Sequence, residues 1–270
     1  VIDGFLADAI PVSADGAGNW TTTVPIARFG PGVRQHTVIA YARDQRVTSA
    51  VQTFASLLEF GAPVLTVADD IGDDHGPAGD YVYPTDSTYR RGQMDIENIE
   101  IAVAGSNLQI TLTMGEISQV WGPIYGFDHA SVTAYLDLPG GDGATVLPLA
   151  NAVAPPSVSW DMASVIFGWG IALYSDEGAT ADAWGEPVSP VPEVAVSPAE
   201  RTITMTYTTR ALGRPATLSG TKIYITTWDL DGLSGTYRFL EPEAGAFSMG
   251  GGNYDTDPLI MDDTQVLVIP

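Results

Sequence analysis

The run Ala68-Asp69-Asp70-Ile71-Gly72-Asp73-Asp74-His75-Gly76-Pro77-Ala78-Gly79-Asp80 places five aspartates in a loop that its glycines keep bendable. Carboxylates this close repel one another, and a chain tolerates them when they are fully hydrated or when a cation gathers them in. A hard divalent ion suits such a loop. Calcium takes six to eight oxygens from carboxylates, carbonyls and water and accepts irregular geometry, whereas the spacing here does not match an EF-hand. Asp69, Asp70, Asp73, Asp74 and Asp95 are therefore the candidate calcium ligands, with Gly72 and Gly76 as carbonyl donors. The alternative is a solvated acidic loop that caps a sheet. A second acidic stretch, Asp229, Asp231 and Gly232, offers another ion loop, but Asp-x-Asp-Gly is also an ordinary hairpin turn, which is the favoured reading.

The second chemistry-bearing set is aromatic. A flat indole buries the apolar face of a pyranose while nearby polar groups take its hydroxyls. Trp121 and Trp184 lie in loops rich in glycine and proline, with Tyr125 close to the first, so these three are the candidate carbohydrate-binding residues. Trp169, between Gly168 and Gly170 in an apolar stretch, is expected in the core or in packing between subdomains. No catalytic residues stand out. A glycosidase needs two carboxylates about 5–10 Å apart, and none of the thirty-three acids is singled out by spacing. His36, His75 and His129 fall in no metal-ligand motif, and there is no Gly-x-Ser-x-Gly elbow.

The elements that must position these groups are strands. Ile99, Ile101 and Val103 alternate with Glu100 and Ala102, and Leu108, Ile110, Leu112 and Met114 alternate with polar neighbours. The same period of two recurs at Ile203-Met205-Tyr207, Ile223-Ile225 and Val266-Val268, and no window shows a helical stripe. The fold class is all-β, an antiparallel sandwich with long loops at about 115–130, 139–157, 176–195 and 239–262. Residues 1–58 read as four further strands (Phe5–Ala14, Trp20–Ile26, Thr37–Arg43, Ala50–Leu57), too few to close an immunoglobulin-like sandwich. This gives two domains, a partial immunoglobulin-like piece over 1–58 and a module over 63–270, joined by a short apolar segment that predicts close packing.

Asp69-Asp70-x-Gly72-Asp73-Asp74-x-Gly76-Pro77, followed by Tyr81-Val82-Tyr83-Pro84-Thr85-Asp86, Gly92 and Asp95-Ile96, resembles the C-terminal module of glucodextranase and pullulanase-type secreted hydrolases. Trp121-Gly122-Pro123, Gly168-Trp169-Gly170, Gly235-Thr236-Tyr237-Arg238, Gly250-Gly251-Gly252 and Asp262-Asp263 follow in the family's order. Asp70, where a small residue or proline is expected, and Phe247, near an expected tryptophan, depart from its pattern. The resemblance implies a β-sandwich related to DOMON and family-9 carbohydrate-binding folds, usually non-catalytic and attached to secreted glycoside hydrolases. It adds Asp262 to the metal candidates, because the terminal acidic pair matches and the last strands return toward the first loop. Haem, held by some DOMON relatives, finds no recognisable ligand arrangement in Met94, Met114 and His129.

Eleven bases against thirty-three acids leave a formal charge of −22, which disfavours nucleic acid and anionic membrane surfaces. There is no cysteine, so rigidity comes from something other than disulfides, and no stretch is apolar enough for a membrane span. Val1-Ile2-Asp3-Gly4 reads as the middle of a longer chain, with a signal peptide and further domains expected upstream. The expectation is a secreted, cell-surface, calcium-binding module that binds a polysaccharide, either an α-glucan or a cell-wall polymer, or anchors an associated hydrolase. The alternative is a structural subunit of a surface layer or filament, forming homo-oligomers through sheet edges.

Overall fold

The computed structural model describes residues 1–6, 9–42 and 47–270. Two antiparallel sheets face each other. The first runs Glu193–Ser197, Thr202–Tyr207, Asn107–Met114, Ile96–Ala104, Leu65–Ala68. The second runs Gly170–Ser175, Met162–Phe167, Ala130–Asp137, Lys222–Asp229, with Asp262–Asp263 and Leu267–Val268 sharing the last edge. The all-β sandwich expected from alternation is therefore present. Ile99, Ile101, Leu108, Ile110, Leu112, Ile203 and Met205 point inward from the first sheet, meeting Val132, Ala134, Ile166, Ile223 and Ile225 from the second. Among the described residues no helix is long and apolar enough to cross a membrane.

Alternation breaks where the structure needs something else. Ile96 pairs with Met114 and Asn98 with Thr113, so Glu97 is an extra residue and forms a bulge at the start of its strand. A bulge bends a strand and re-aims its side chains, and this one directly follows Asp95. Lys222–Asp229 is buried on both faces, unlike a half-solvated strand. Its outer face is covered by a second core of Tyr135, Leu147, Ala150, Val158, Trp160, Tyr224 and Ile260. Much of that cover comes from the 139–157 loop, which contains a small hairpin of Val146–Leu147 with Ala152–Val153.

In the N-terminal part, Gly32–Val38 pairs with Gln52–Leu58 and Tyr41–Ala42 with Val47–Thr48. The strands expected over Phe5–Ala14 and Trp20–Ile26 are absent among the described residues; positions 7 and 8 lie outside them, as does Arg43, the expected end of the third strand. Among the described residues Ile26–Arg28 forms a single 3-10 turn there. Gly16 and Gly18 do make the expected turn, with Asp15 accepting from the Ala17 and Asn19 amides, but no ladder extends from it. The piece touches the sandwich through Arg34–Glu193 at 2.8 Å and through Asn107, which donates to the Phe29 carbonyl at 3.2 Å.

The acidic loop is fastened to the far end of the chain. Gly76 donates to the Met261 carbonyl at 2.8 Å, and the Tyr81 hydroxyl to that of Pro258 at 2.9 Å. Gly76 has φ of +73°, and a Cβ there would run into the Tyr81 ring. Gly76→Ala should thus cost about 1–3 kcal/mol of stability, read from urea denaturation. Gly79→Ala, at φ of +78° but with open space around it, should cost less; equal losses would show that the Tyr81 contact does not matter.

Candidate metal centre and aromatic cleft

Of the residues singled out in the sequence, Asp73, Asp95 and Asp262 come together: one carboxylate oxygen from each lies within 4.8 Å of the others. Asp73 arrives on the glycine-bent loop, Asp95 on the approach to the bulged strand, and Asp262 on the edge strand of the opposite sheet. Asp95 Oδ2 accepts from the Gly72 amide at 2.9 Å, which folds the loop back over it. Asp262 Oδ2 accepts from the Ile96 amide at 2.7 Å and so ties the edge of the second sheet to the first strand residue after Asp95. The same seam is closed by Thr227, whose hydroxyl donates to the Met94 carbonyl at 2.7 Å.

The centre is short of hydrogen-bond donors. Asp95 Oδ1 and Asp69 Oδ2 are buried with no partner among the described residues. Burial, followed by the repulsion of neighbouring aspartates, pushes Asp69 and Asp95 up to about 6 and Asp262 up to about 8. Asp73 is raised for the same two reasons. An all-oxygen set of this kind, open to solvent on the side of Asp73, fits calcium, which accepts irregular loops and completes its shell with water.

The remaining candidates take different positions. Asp70 is exposed, yet close enough for its charge to raise Asp69 and Asp73. Asp74 is buried, with one oxygen accepting from the Tyr83 hydroxyl and from the Gly92 amide. Tyr83 in turn accepts from the Met94 amide at 2.9 Å. Asp74 thus braces the loop against the segment that carries Asp95. Asp263 accepts from the Tyr224 hydroxyl at 2.8 Å.

The three aromatic candidates are not brought together. Trp121 stands 55% exposed on its loop, its amide donating to Asp128 at 2.8 Å. Tyr125 packs against the main core. Trp184 stacks on Tyr174 at 5.2 Å and covers the second core. Trp169, expected in the core, instead is half-buried and shares a cleft of about 480 Å³ with Trp121, Phe247 and the polar residues His129, Asp229 and Arg238. Its flanking glycines mark close backbone packing, since a Cβ at Gly168 would strike the Phe127 carbonyl, and Gly232 lies under the indole. Asp229 ends its strand, paired with Ala130, and Asp231 opens the turn read from the sequence, where it accepts from the Leu233 amide at 2.9 Å. What that reading missed is Arg238, which returns from the far side of the turn to face both acids.

A sandwich whose chemically equipped groups are a carboxylate cluster at a sheet seam and an aromatic cleft among loops defines an all-β binding module. The chain belongs to the family described as the C-terminal binding module, SLH-like, of glucodextranase, which residues 64–267 match. No curated protein matches the chain.

Raised acids are ionised more easily in the unfolded chain, where aspartate titrates near 3.9, than in the fold. Their favourable contribution is intact below about pH 4 and is lost as pH rises through 6 and 8. In the presence of a chelator the melting temperature should therefore fall between pH 5 and pH 8. Asp262→Asn keeps an acceptor for the Ile96 amide and cannot ionise, so it should flatten that fall; an unchanged slope in calorimetry would remove Asp262 as its source.

Proposed function

We propose that this chain is a non-catalytic, extracellular module that binds a neutral polysaccharide, or anchors an associated glycoside hydrolase to the cell envelope, and that calcium stiffens it. The observation that carries the calcium reading is the convergence of Asp73, Asp95 and Asp262 from three separate segments. The polysaccharide reading rests on the family, a binding module of glucodextranase, and suits a chain of charge −22 that would be repelled by anionic partners. Calcium would replace the donors that Asp95 Oδ1 and Asp69 Oδ2 lack, and would tie the acidic loop to both sheets. In a chain without cysteine it takes the place of a cross-link.

A ligand that binds only the folded state stabilises it by RT ln(1 + [L]/Kd), about 2.7 kcal/mol at a hundredfold excess over Kd. Calcium should accordingly raise the melting temperature and EDTA lower it. Asp73→Ala, an exposed position, should leave the metal-free protein folded and abolish the increment. An unchanged melting temperature, with metal analysis confirming that the ion was present and then removed, would discard the centre. The polysaccharide half is tested by affinity electrophoresis of the calcium-loaded protein on soluble α-glucans and wall polymers. Retardation in at least one gel is expected, and none in any of them overturns it.

A second reading, assembly into a surface layer or filament, is favoured by one observation. The two-stranded N-terminal sheet leaves Val33 and Leu57 74% and 55% exposed at the end of its ladder away from Val38, the residue that bridges to Ile2. Light scattering at high protein concentration separates the two, a monomer favouring the polysaccharide module and a polymer the filament.

A further inference from the structure

Three buried polar atoms that make no hydrogen bond belong to residues lining the same cleft: His129 Nε2, Asp229 Oδ1 and Arg238 Nε, the last in an ion pair with Asp229 Oδ2 at 3.7 Å. His129 and Asp229 are 6% and 1% exposed. Buried polar groups are normally satisfied, and leaving one unpaired costs about 1–3 kcal/mol. Three in one place therefore call for an occupant. None of the three residues belongs to the carboxylate centre.

Each is held in position by another contact. The Tyr89 hydroxyl donates to Asp229 Oδ2 at 2.5 Å, leaving Oδ1 unused. The Tyr89 ring lies 4.0 Å from that of His129. Arg238 is drawn to Asp231 at 3.3 Å and to Asp229 at 3.7 Å, with its guanidinium 5.4 Å from the Phe247 ring. Above this polar floor stand three aromatic side chains, Trp121, Trp169 and Phe247, of which the first and last are 55% and 41% exposed. A floor of fixed donors and acceptors under aromatic walls, in a volume within the usual small-ligand range of about 300–1,000 Å³, is a built binding site.

The chemistry of the floor names the ligand class. A carboxylate oxygen needs a donor, and a guanidinium N–H needs an acceptor. A sugar hydroxyl is both at once, and two on adjacent carbons can serve the two groups together. The aromatic walls bury the C–H faces of the ring. An acidic sugar would meet the carboxylates of Asp229 and Asp231, whereas Arg238 is already engaged with both. We propose that the cleft between Trp121, Trp169 and Phe247 is the sugar-binding site, and that it takes an uncharged hexose unit of a neutral polysaccharide through His129, Asp229 and Arg238. This rests on the polysaccharide reading and assigns it a place, in the cleft and not on the Trp184 face.

The test uses the calcium-loaded protein with maltotriose, isomaltotriose, laminaritriose and trigalacturonate as probes. Calorimetry gives affinity, and the tryptophan indole N–H signals in NMR report which rings are touched. At least one neutral trisaccharide should bind, shift the Trp121 and Trp169 signals, and lose about tenfold or more in affinity in Trp121→Ala and Phe247→Ala. Both substitutions are at exposed positions, so folding is retained; Asp229→Asn then probes the floor, and Trp184→Ala should stay within about twofold of the parent. Neutral sugar binding that is insensitive to Trp121 and Phe247 overturns the site but leaves the polysaccharide reading standing. Preference for trigalacturonate overturns the ligand class. A protein that binds none of these probes and no polymer in affinity electrophoresis overturns the polysaccharide reading and this inference with it, whereas polymer retardation unaffected by Trp121→Ala overturns the inference alone.

Discussion

Three carboxylates within 4.8 Å of one another, two of them buried, are the constraint around which the sandwich closes. Like charges at that separation in a partly dry setting cannot all be ionised without a counter-charge, so the fold must either hold protons there or supply a cation. The backbone has already been committed to the arrangement. The Ile96 amide points at Asp262, the Gly72 amide at Asp95, and Gly76 is pinned to Met261. None of these contacts neutralises charge; each fixes where the charge sits. The raised titration of Asp69, Asp95 and Asp262 is the energetic trace of that choice.

The seam position explains why the loop is ordered at all. Two facing sheets share a core, but side-chain packing alone leaves their relative slide weakly defined at the ends. Here one end is defined by polar links: Thr227 to the Met94 carbonyl, Asp262 to the Ile96 amide, and Tyr83 between Asp74 and the Met94 amide. Deeper in the core, Ser164 and Tyr207 join the sheets at 2.5 Å. The bulge at Glu97 belongs to the same device, because it lets Ile96 and Ile99 both face the core while Asp95 meets the loop.

How much of this was legible in the sequence follows from the range of the interactions. Strand class was readable because a period of two is local and the core enforces it, as at Leu108, Ile110 and Leu112. The importance of the acidic loop was readable because its charge density is local. Which carboxylates converge was not: Asp73 and Asp74 are neighbours, yet one joins the cluster and the other braces Tyr83 and Gly92. The strands expected over Phe5–Ala14 and Trp20–Ile26 fail for a related reason. Apolar residues with a hairpin-like turn between them satisfy a local pattern, but that pattern does not by itself produce a ladder, and an isolated two-stranded hairpin is at best marginally stable. Trp169 was misplaced because glycine neighbours in an apolar run look like tight core packing, when what they allow is close approach beside an open cleft.

The cleft and the carboxylate centre solve one problem, unmet polar groups, in opposite ways. At the centre the unmet atoms are both acceptors, Asp69 Oδ2 and Asp95 Oδ1, and beside so many like charges a cation answers them best. In the cleft the unmet set is mixed, a carboxylate oxygen beside a guanidinium N–H and an imidazole nitrogen, so the local charge is partly balanced and a neutral partner with both donors and acceptors fits. Sequence separates the two poorly, since both begin as aspartates near glycines. What distinguishes them is how an arginine is placed: Arg238 closes on both Asp229 and Asp231, whereas Arg201, whose charge reaches Asp95, is paired with Glu97. Removing the Arg238 charge would leave Asp229 and Asp231 as a second acidic loop, and its presence is what makes the cleft a place for hydroxyl groups instead of an ion.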